Sequence, residues 1–551
     1  MVDELIRPSV ARYADAPAEE RGEIFTKPEV AEFILDLIEW GLKPFSESDR
    51  LLEPSCGSGD FFIPALERLL SGTKDHSIGN LRHRLLGVEI NREAFDQLRV
   101  RVEEMLSQHG FAKRDSNRLA EGWLICADFL SDPVEGAFTH VVGNPPYVRL
   151  EGLPRELMAY YRSRYSTMYD RSDLYVAFYE KGLSLLEPRG RLGYICADRW
   201  MKNKYGGPLR KLVAERYHLE TYVDFTGHDA FLNEVSAYPA VTILRNEPGT
   251  ITRIVQKTEV DLNRLPDLAS ALRSNRSDVR VQRLPDIASS DAPWLLSCGR
   301  RLKVIRELEA RFPTLEEAGC KVGIGVATGA DKVYIGSDEQ LDVEPERKLP
   351  LLTRRDLQQS QIEWTGRYVL NPFAAEGGGL IDLEDYPKFK AYLMAHRDPI
   401  RRRHVAKKNP GNWFKTIDRI TPELVETPKL LIPDIQGAHQ VVYDEGRYYP
   451  HHNLYFILSE DWDLQALQTV LRSDLARAFV ATYSLRMRGD FLRFQAQYLR
   501  RIRLPDWKTV SPNLRKKLRG LSVSDDRESI SGAVQALYGL DKTDWDTLTA
   551  E

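Results

Sequence analysis

Cysteine is scarce in this sequence, with five in 551 residues, and none of them stands in a Cys-x-x-Cys pair. Cys56, Cys126, Cys196, Cys298 and Cys320 are scattered and odd in number, so neither a disulfide framework nor a zinc site is suggested. No apolar run approaches the roughly 20 residues that span a bilayer. The N-terminal stretch is mixed in charge and lacks an apolar signal core, so the expectation is a cytoplasmic chain with no membrane contact. Internal repeats and long low-complexity tracts are absent as well. A charge excess of one sign is also missing: 77 Lys and Arg stand against 81 Asp and Glu, a formal net charge of −4. That balance neither supports nor excludes a nucleic-acid partner, and local clusters must decide. With 42% hydrophobic residues the chain is not a disordered polymer, and its length suits two or three domains.

The first half alternates strand-like and helix-like segments. Residues 28–40 carry apolar positions at helical spacing, with Thr26 as a plausible N-cap and Pro28 in the first turn. Strands are expected at 50–54, 85–90, 123–128, 139–144, 191–197, 222–225 and 240–244. Helices are expected at 61–70, after the second strand to about 106, and at 174–187. This order argues for a mostly parallel sheet with helices on both faces. The expected division is a first domain at 1–250, a polar linking region at 251–314 and a second domain at 315–551. In the second domain, short strand-like runs at 332–336, 368–372, 429–433 and 454–458 are separated by what read as long charged helices.

Chemistry concentrates at four strand ends. Gly57 and Gly59 follow the first strand, in the loop after Glu53 and Ser55, and would let a ligand approach the backbone closely. Glu89 ends the second strand, where a carboxylate can accept hydrogen bonds from two ribose hydroxyls. Asp128 ends the third and can accept from an adenine amino group, with Phe129 packing on the purine. The fourth ends in Gly143-Asn144-Pro145-Pro146-Tyr147. An exocyclic amine is a poor nucleophile because its lone pair is delocalised into the ring. The Asn144 side-chain oxygen and the Pro145 carbonyl could bind its two hydrogens and aim the lone pair at an electrophile. The prolines stiffen both acceptors, and Tyr147 offers an aromatic face to a base rotated out of a duplex.

These residues resemble the gamma-class DNA adenine-N6 methyltransferases of bacterial type II restriction–modification systems. The resemblance implies a Rossmann-like α/β domain that depends on S-adenosylmethionine (SAM), followed by an α+β domain that recognises the DNA target. It assigns catalysis to Asn144, Pro145 and Tyr147. It places the cofactor on Thr26, in the Phe25-Thr-Lys-Pro motif, and on Glu53, Ser55, Gly57, Glu89, Ile90, Asp128, Phe129 and Pro146. Asp173 to Phe178 resembles the helix after the catalytic motif. Phe231, followed by Val235-Ser-Ala, resembles the segment that lines the pocket for the flipped base. The motif order is that of the gamma class, since the interval from Glu53 to Asn144 has no space for an inserted recognition domain. Two features depart from the pattern: Ala197-Asp-Arg-Trp stands where a proline is frequent, and 151–170 is longer and more charged than a minimal loop.

In the second domain, Arg401, Arg402, Arg403, Lys407 and Lys408 beside Trp413 and Phe414 form a candidate surface for DNA phosphates. A second basic stretch runs from Arg486 to Arg493 and on through Arg500, Arg501 and Arg503. Asp342, Glu344, Glu346 and Lys348 could be misread as a nuclease motif. His451 and His452 come without a partner carboxylate in sequence and are read as structural, with no metal expected. The expected partners are double-stranded DNA and a separate cognate restriction endonuclease, with the enzyme acting as a monomer. Two alternatives remain open: methylation of a protein glutamine amide or of RNA, and a non-catalytic DNA-binding scaffold.

Overall fold

A computed structural model of the chain describes residues 6–232, 239–274, 276–294, 296, 299–358, 361–374, 378–436, 440–484 and 492–549. It divides into two compact units, Met1–Gly299 and Arg300–Glu551. No helix among the described residues is long and apolar enough to cross a membrane.

The first unit is built on a nine-stranded sheet. Its strands are β1 (Leu51–Glu53), β2 (Leu85–Glu89), β3 (Leu124–Cys126), β4 (Phe138–Gly143), β5 (Leu186–Ala197), β6 (His218–Asp224), β7 (Pro239–Arg245), β8 (Ile251–Val255) and β9 (Gln282–Pro285), in the order β3-β2-β1-β4-β5-β7-β6-β8-β9. The strands from β3 to β5 are parallel, whereas β7 runs antiparallel to both β5 and β6. Successive residues serve opposite faces, as strand geometry requires. Leu51, Val142, Ile195, Val223 and Val241 join one buried cluster. Leu52, Val141, Tyr194, Tyr222 and Ala240 join the other. The first cluster is closed by α3 (Pro28–Leu37), α4 (Phe62–Gly72) and the helices Arg92–Gln108 and Lys113–Trp123. The second is closed by helices Arg155–Arg164, Tyr175–Ser184 and Gly207–Arg216. Strand order reverses between β1 and β4, which makes their carboxyl ends the natural ligand crevice.

Three expectations are corrected. Residues 251–285 do not link domains: β8 and β9 extend the sheet, and the helix Leu265–Arg273 buries Leu265, Leu268, Ala269 and Leu272 along one face. Polar residues between those apolar positions disguised the helical period. The end of the stretch forms the helix Gly299–Arg311, which from Arg300 onward belongs to the second unit. Thr26 is not the N-cap of α3, a place taken by Lys27. Thr26 instead bridges to Phe231 in antiparallel pairing. The helix Lys113–Trp123 also takes the first residue of the expected third strand, and Ala127 and Asp128 lie beyond its end, so β3 is only three residues long.

The second unit holds two four-stranded sheets. One runs Cys320–Ile324, Leu454–Ser459, Lys429–Pro433, Val442–Asp444, all antiparallel. Lys429 and Asp444 are cross-strand partners in register and fully buried, with Nζ to carboxylate at 2.8 Å. Breaking such a pair strands a buried charge, a loss of about 3–5 kcal/mol. The helices between these strands are short: the basic run forms Arg397–Arg401 and His404–Lys408, five residues each, not one long charged helix. Pro399 in the first segment and Pro410 after the second limit their length.

Candidate functional site

The carboxyl ends of β1, β2 and β4 and the loop after β3 open on a cavity whose empty space, counted together with the solvent at its mouth, is about 790 Å³. Its walls include Thr26, Glu53, Ser55, Gly57, Glu89, Ile90, Asp128, Phe129, Asn144 and Pro146. The structure thus brings together all nine residues expected to touch a cofactor, with one of the three expected to act in catalysis.

Backbone geometry explains the first two loops. After β1 the chain turns at Gly57 with φ +51°, a conformation that disfavours a side chain. That turn directs the Gly57 N–H at the Glu89 carboxylate, 2.7 Å away. The Asn91 N–H donates to the other carboxylate oxygen at 2.8 Å. Glu89 is therefore fixed in place, with one lone pair on each oxygen still free. Burial raises its pKa, and these two N–H groups oppose the rise. Asp128 is held in a similar way. It accepts from the Leu130 and Ser131 N–H groups and from the Tyr161 hydroxyl at 2.7 Å. Phe129 beside it is braced from behind by Lys181, whose Nζ donates to the Phe129 and Asp132 carbonyls. Burial brings that lysine's pKa down to about 8.

Asn144 ends β4 in a defined orientation. Its Nδ2 donates to the Ile24 carbonyl at 2.9 Å and to the Thr26 hydroxyl at 3.2 Å. A carbonyl can only accept, so the amide cannot be turned around. Oδ1 is consequently left buried with no partner, an acceptor held ready. Glu53 supplies a second such atom: its Oε2 is buried and unpartnered. Burial, reinforced by Asp60 and Glu89, holds the Glu53 carboxyl well above the usual range.

The segment preceding α3 closes this side of the cavity. The Thr26 N–H donates to Asp60 Oδ2 at 2.7 Å, and Leu232 N–H donates to the Phe25 carbonyl at 2.9 Å. This pairing carries Phe231 next to the loop that holds Asn144 to Tyr147. Tyr147 and Phe231 meet edge to face at 6.2 Å, and Tyr175 stands 6.4 Å from Tyr147 on another side. Pro145, Tyr147 and Phe231 are not among the cavity's lining residues. Phe231 is largely buried by these neighbours. Val235 to Ala237, the rest of the expected base-pocket segment, lies outside the described residues.

Tyr13, Arg21, Glu23, Asp60, Tyr161 and Phe178 also line the cavity, and sequence reasoning missed them. Tyr13 and Arg21 come from α1 (Arg7–Ala14) and α2 (Ala18–Arg21), short N-terminal helices. The Tyr13 hydroxyl donates to the Arg21 carbonyl, and Arg21 pairs with Glu23 at 2.6 Å. The Asn91 side chain holds this segment by donating to the Ala14 carbonyl.

In the second unit, Arg401, Arg402, Lys407 and Lys408 are exposed, as a phosphate-contacting row needs to be. Arg403 departs from them. Its three nitrogens donate to the carbonyls of Ile400, Thr328 and Trp413, and its guanidinium lies 5.2 Å from the Tyr334 ring. It braces the domain from inside. Trp413 is half-buried and Phe414 buried against the same core. Of the second basic stretch, Arg500 pairs with Glu316 and Arg503 with Glu317, Arg501 lies over Tyr483, and residues 486–491 fall outside the described residues. The acidic run has structural duties too: Glu344 accepts from the Lys388 and Phe389 N–H groups, and Lys348 pairs with Asp338.

Comparison with known proteins adds to this geometry. Residues 74–231 match the family described as Eco57I restriction–modification methylase. Residues 349–504 match the TaqI-like C-terminal specificity domain. The type II methyltransferase M.PaeR7I of Pseudomonas aeruginosa is 51% identical, over 95% of this chain and 92% of that protein. The type II methyltransferase M.XhoI of Xanthomonas vasicola is 48% identical, over 96% of this chain and 99% of that protein. Among solved structures, the type IIL restriction–modification enzyme MmeI, determined in complex with DNA, shares the fold. It has a TM-score of 0.62 at 12% identity, covering 99% of this chain and 76% of that one.

Proposed function

The chain belongs to the type II DNA methyltransferases of restriction–modification systems, and from that premise we propose that it methylates the N6 amino group of an adenine, rotated out of double-stranded DNA, within one short recognition sequence. S-adenosylmethionine, when bound, supplies an electrophilic methyl group on a sulfonium sulfur. The residues present suit it. Glu53, Asp60, Glu89 and Asp128 all line one cavity, and burial raises the pKa of each. A site that crowds buried carboxylates together is relieved by a cationic ligand. Glu89 keeps free lone pairs for ribose hydroxyls, and Phe129 offers a braced ring to a purine.

The observation that carries the reading is the unpartnered, oriented Oδ1 of Asn144. It accepts one hydrogen of the target amine, and the Pro145 carbonyl accepts the other. As the nitrogen gains positive charge, both acceptors bind it more strongly, which is where catalysis requires the stronger interaction. Tyr147 stacks on the target base, with Phe231 closing against its edge. The excess proton leaves to solvent after transfer, so no strong general base is required. The exposed Arg401, Arg402 and Lys407 contact DNA phosphates. The biological role that follows is protection of host DNA from a separate endonuclease of the same specificity, with the methyltransferase acting as a monomer.

Expression in a methylation-free bacterial host, followed by single-molecule polymerase-kinetic sequencing of its DNA, tests this directly. N6-methyladenine at nearly every copy of one motif, absent in an Asn144→Ala control, is expected. Modified cytosine instead, or no modified base from folded, cofactor-bound protein, would overturn the adenine assignment.

A further inference from the structure

The two adjacent histidines of the second unit acquire through folding the carboxylate that their sequence context lacks. The strand Tyr449–Pro450 pairs in parallel with Leu351 and Leu352, and the chain then turns through His451 to Asn453. The His451 N–H donates to the Leu352 carbonyl at 2.9 Å, and the His452 N–H donates to the Val326 carbonyl at 3.0 Å. Consecutive residues of a straight strand would face opposite ways. The turn brings both imidazoles to one side, with ring centroids 4.0 Å apart. Asp331, opposite them, places Oδ2 at 3.1 Å from His451 Nε2. Its other oxygen accepts from the hydroxyl of Thr328, which is fully buried. That bond fixes the carboxylate's direction.

From this arrangement we propose that Asp331, His451 and His452 bind a divalent transition-metal ion of the zinc class. One donor atom from each residue lies within 4.8 Å of the other two. Ligands at about 2.0–2.2 Å from one zinc ion lie about 3.0–3.5 Å from each other. The Asp331–His451 pair already has this spacing, and a rotation about the side-chain bonds of His452, which is exposed, suffices for the third. Two imidazoles with one carboxylate suit zinc, cobalt or nickel better than calcium or magnesium, which favour oxygen. The bond from Thr328 is the kind of outer contact that orients a ligating carboxylate. Three protein ligands leave one position for water, beside a cavity lined by Lys332, Thr353, Arg355, Arg367 and Asn453. The ion would clamp the turn at His451–Asn453 to the segment Val326–Asp331. This is a structural role independent of the methyl-transfer reading.

The test uses untagged full-length protein, stripped with a chelator and titrated with Co²⁺. One saturable equivalent is expected, with visible ligand-field absorption that Zn²⁺ abolishes, and a rise in Tm of about 2–4 °C. His452→Ala changes an exposed side chain and keeps the fold, as its far-UV dichroism and its melting in chelator should attest. It is expected to lose both signals, and Asp331→Asn should lose both as well. Absence of saturable Co²⁺ binding by the wild-type chain, or binding that survives in folded His452→Ala, would overturn the proposal.

Discussion

Replacing Asn144 with alanine separates what this residue does for the fold from what it does for the reaction. The substitution removes two hydrogen bonds, to the Ile24 carbonyl at 2.9 Å and the Thr26 hydroxyl at 3.2 Å. Loss of such contacts inside a protein destabilises by about 1–3 kcal/mol in total. In the proposed transition state the same change removes one of two preorganised acceptors for a nitrogen gaining charge. Comparable losses of one preorganised electrostatic partner lower kcat by about 10²–10³-fold. Asn144→Asp retains an acceptor but sets a carboxylate oxygen against the Ile24 carbonyl. It should lose more stability than alanine and recover little rate. Single-turnover transfer of labelled methyl groups to a duplex containing the recognition sequence measures the chemical step, and calorimetry measures cofactor binding. The expected result for Asn144→Ala is a rate lowered by at least about 10², with cofactor and DNA affinities changed far less. A folded Asn144→Ala enzyme with nearly wild-type single-turnover rate would refute the role assigned to Oδ1.

Gly22 has φ +65°, and a Cβ there would stand 2.7 Å from the backbone carbon of Tyr147. Gly22→Ala should therefore push the N-terminal segment off the loop at Tyr147, costing about 1–3 kcal/mol of stability in a thermal melt and raising KM for the cofactor. Glu53 has a folded pKa above its unfolded value, so its contribution to stability is present below the unfolded pKa and is lost as pH rises through the folded one. Glu53→Gln should make the cofactor-free protein's urea midpoint decline less with rising pH, while weakening cofactor binding; an unchanged pH profile would speak against a buried, unpaired carboxylate. Arg401 and Arg403, neighbours in sequence, should behave oppositely. Arg401→Ala should leave Tm unchanged and lower the slope of log K for DNA against log salt by about 0.9, whereas Arg403→Ala should lower Tm through its stranded carbonyls.

The part of the site that was legible in the sequence lies where backbone and chemistry coincide. Glu53, Glu89, Asp128 and Asn144 each fall at or just beyond the end of an apolar strand run, and parallel strands bring such positions to one edge. Asp60 and Tyr161 were invisible for the opposite reason. Each sits on an ordinary-looking segment and reaches the site only through tertiary contact, Asp60 to the Thr26 N–H and Tyr161 to Asp128. Thr26 joined the expected cofactor residues through the resemblance, and its local reading failed separately, since a threonine before a helix reads as a cap until the antiparallel bridge to Phe231 is seen. The stretch 251–285 failed on period: Leu265, Leu268 and Leu272 do repeat at helical spacing, but the polar composition around them outweighed three residues. Arg403 failed on direction, because a run of arginines does not reveal which side chain points inward.

The electrostatics of the cavity bear on turnover as well as on binding. Glu53 and Asp60 are neighbours of the supports of Asn144, Asp60 through Thr26 and Glu53 at the end of the strand beside β4. Burial raises the pKa of both carboxyls. Under the proposed reaction, the bound ligand enters with a sulfonium charge and leaves without it. The attraction that relieves these carboxylates is therefore strongest before transfer and weakest after it. A site made unfavourable to itself by buried acids thus holds the reactive form more firmly than the spent one, and the same groups that lower the stability of the free protein favour release of the product.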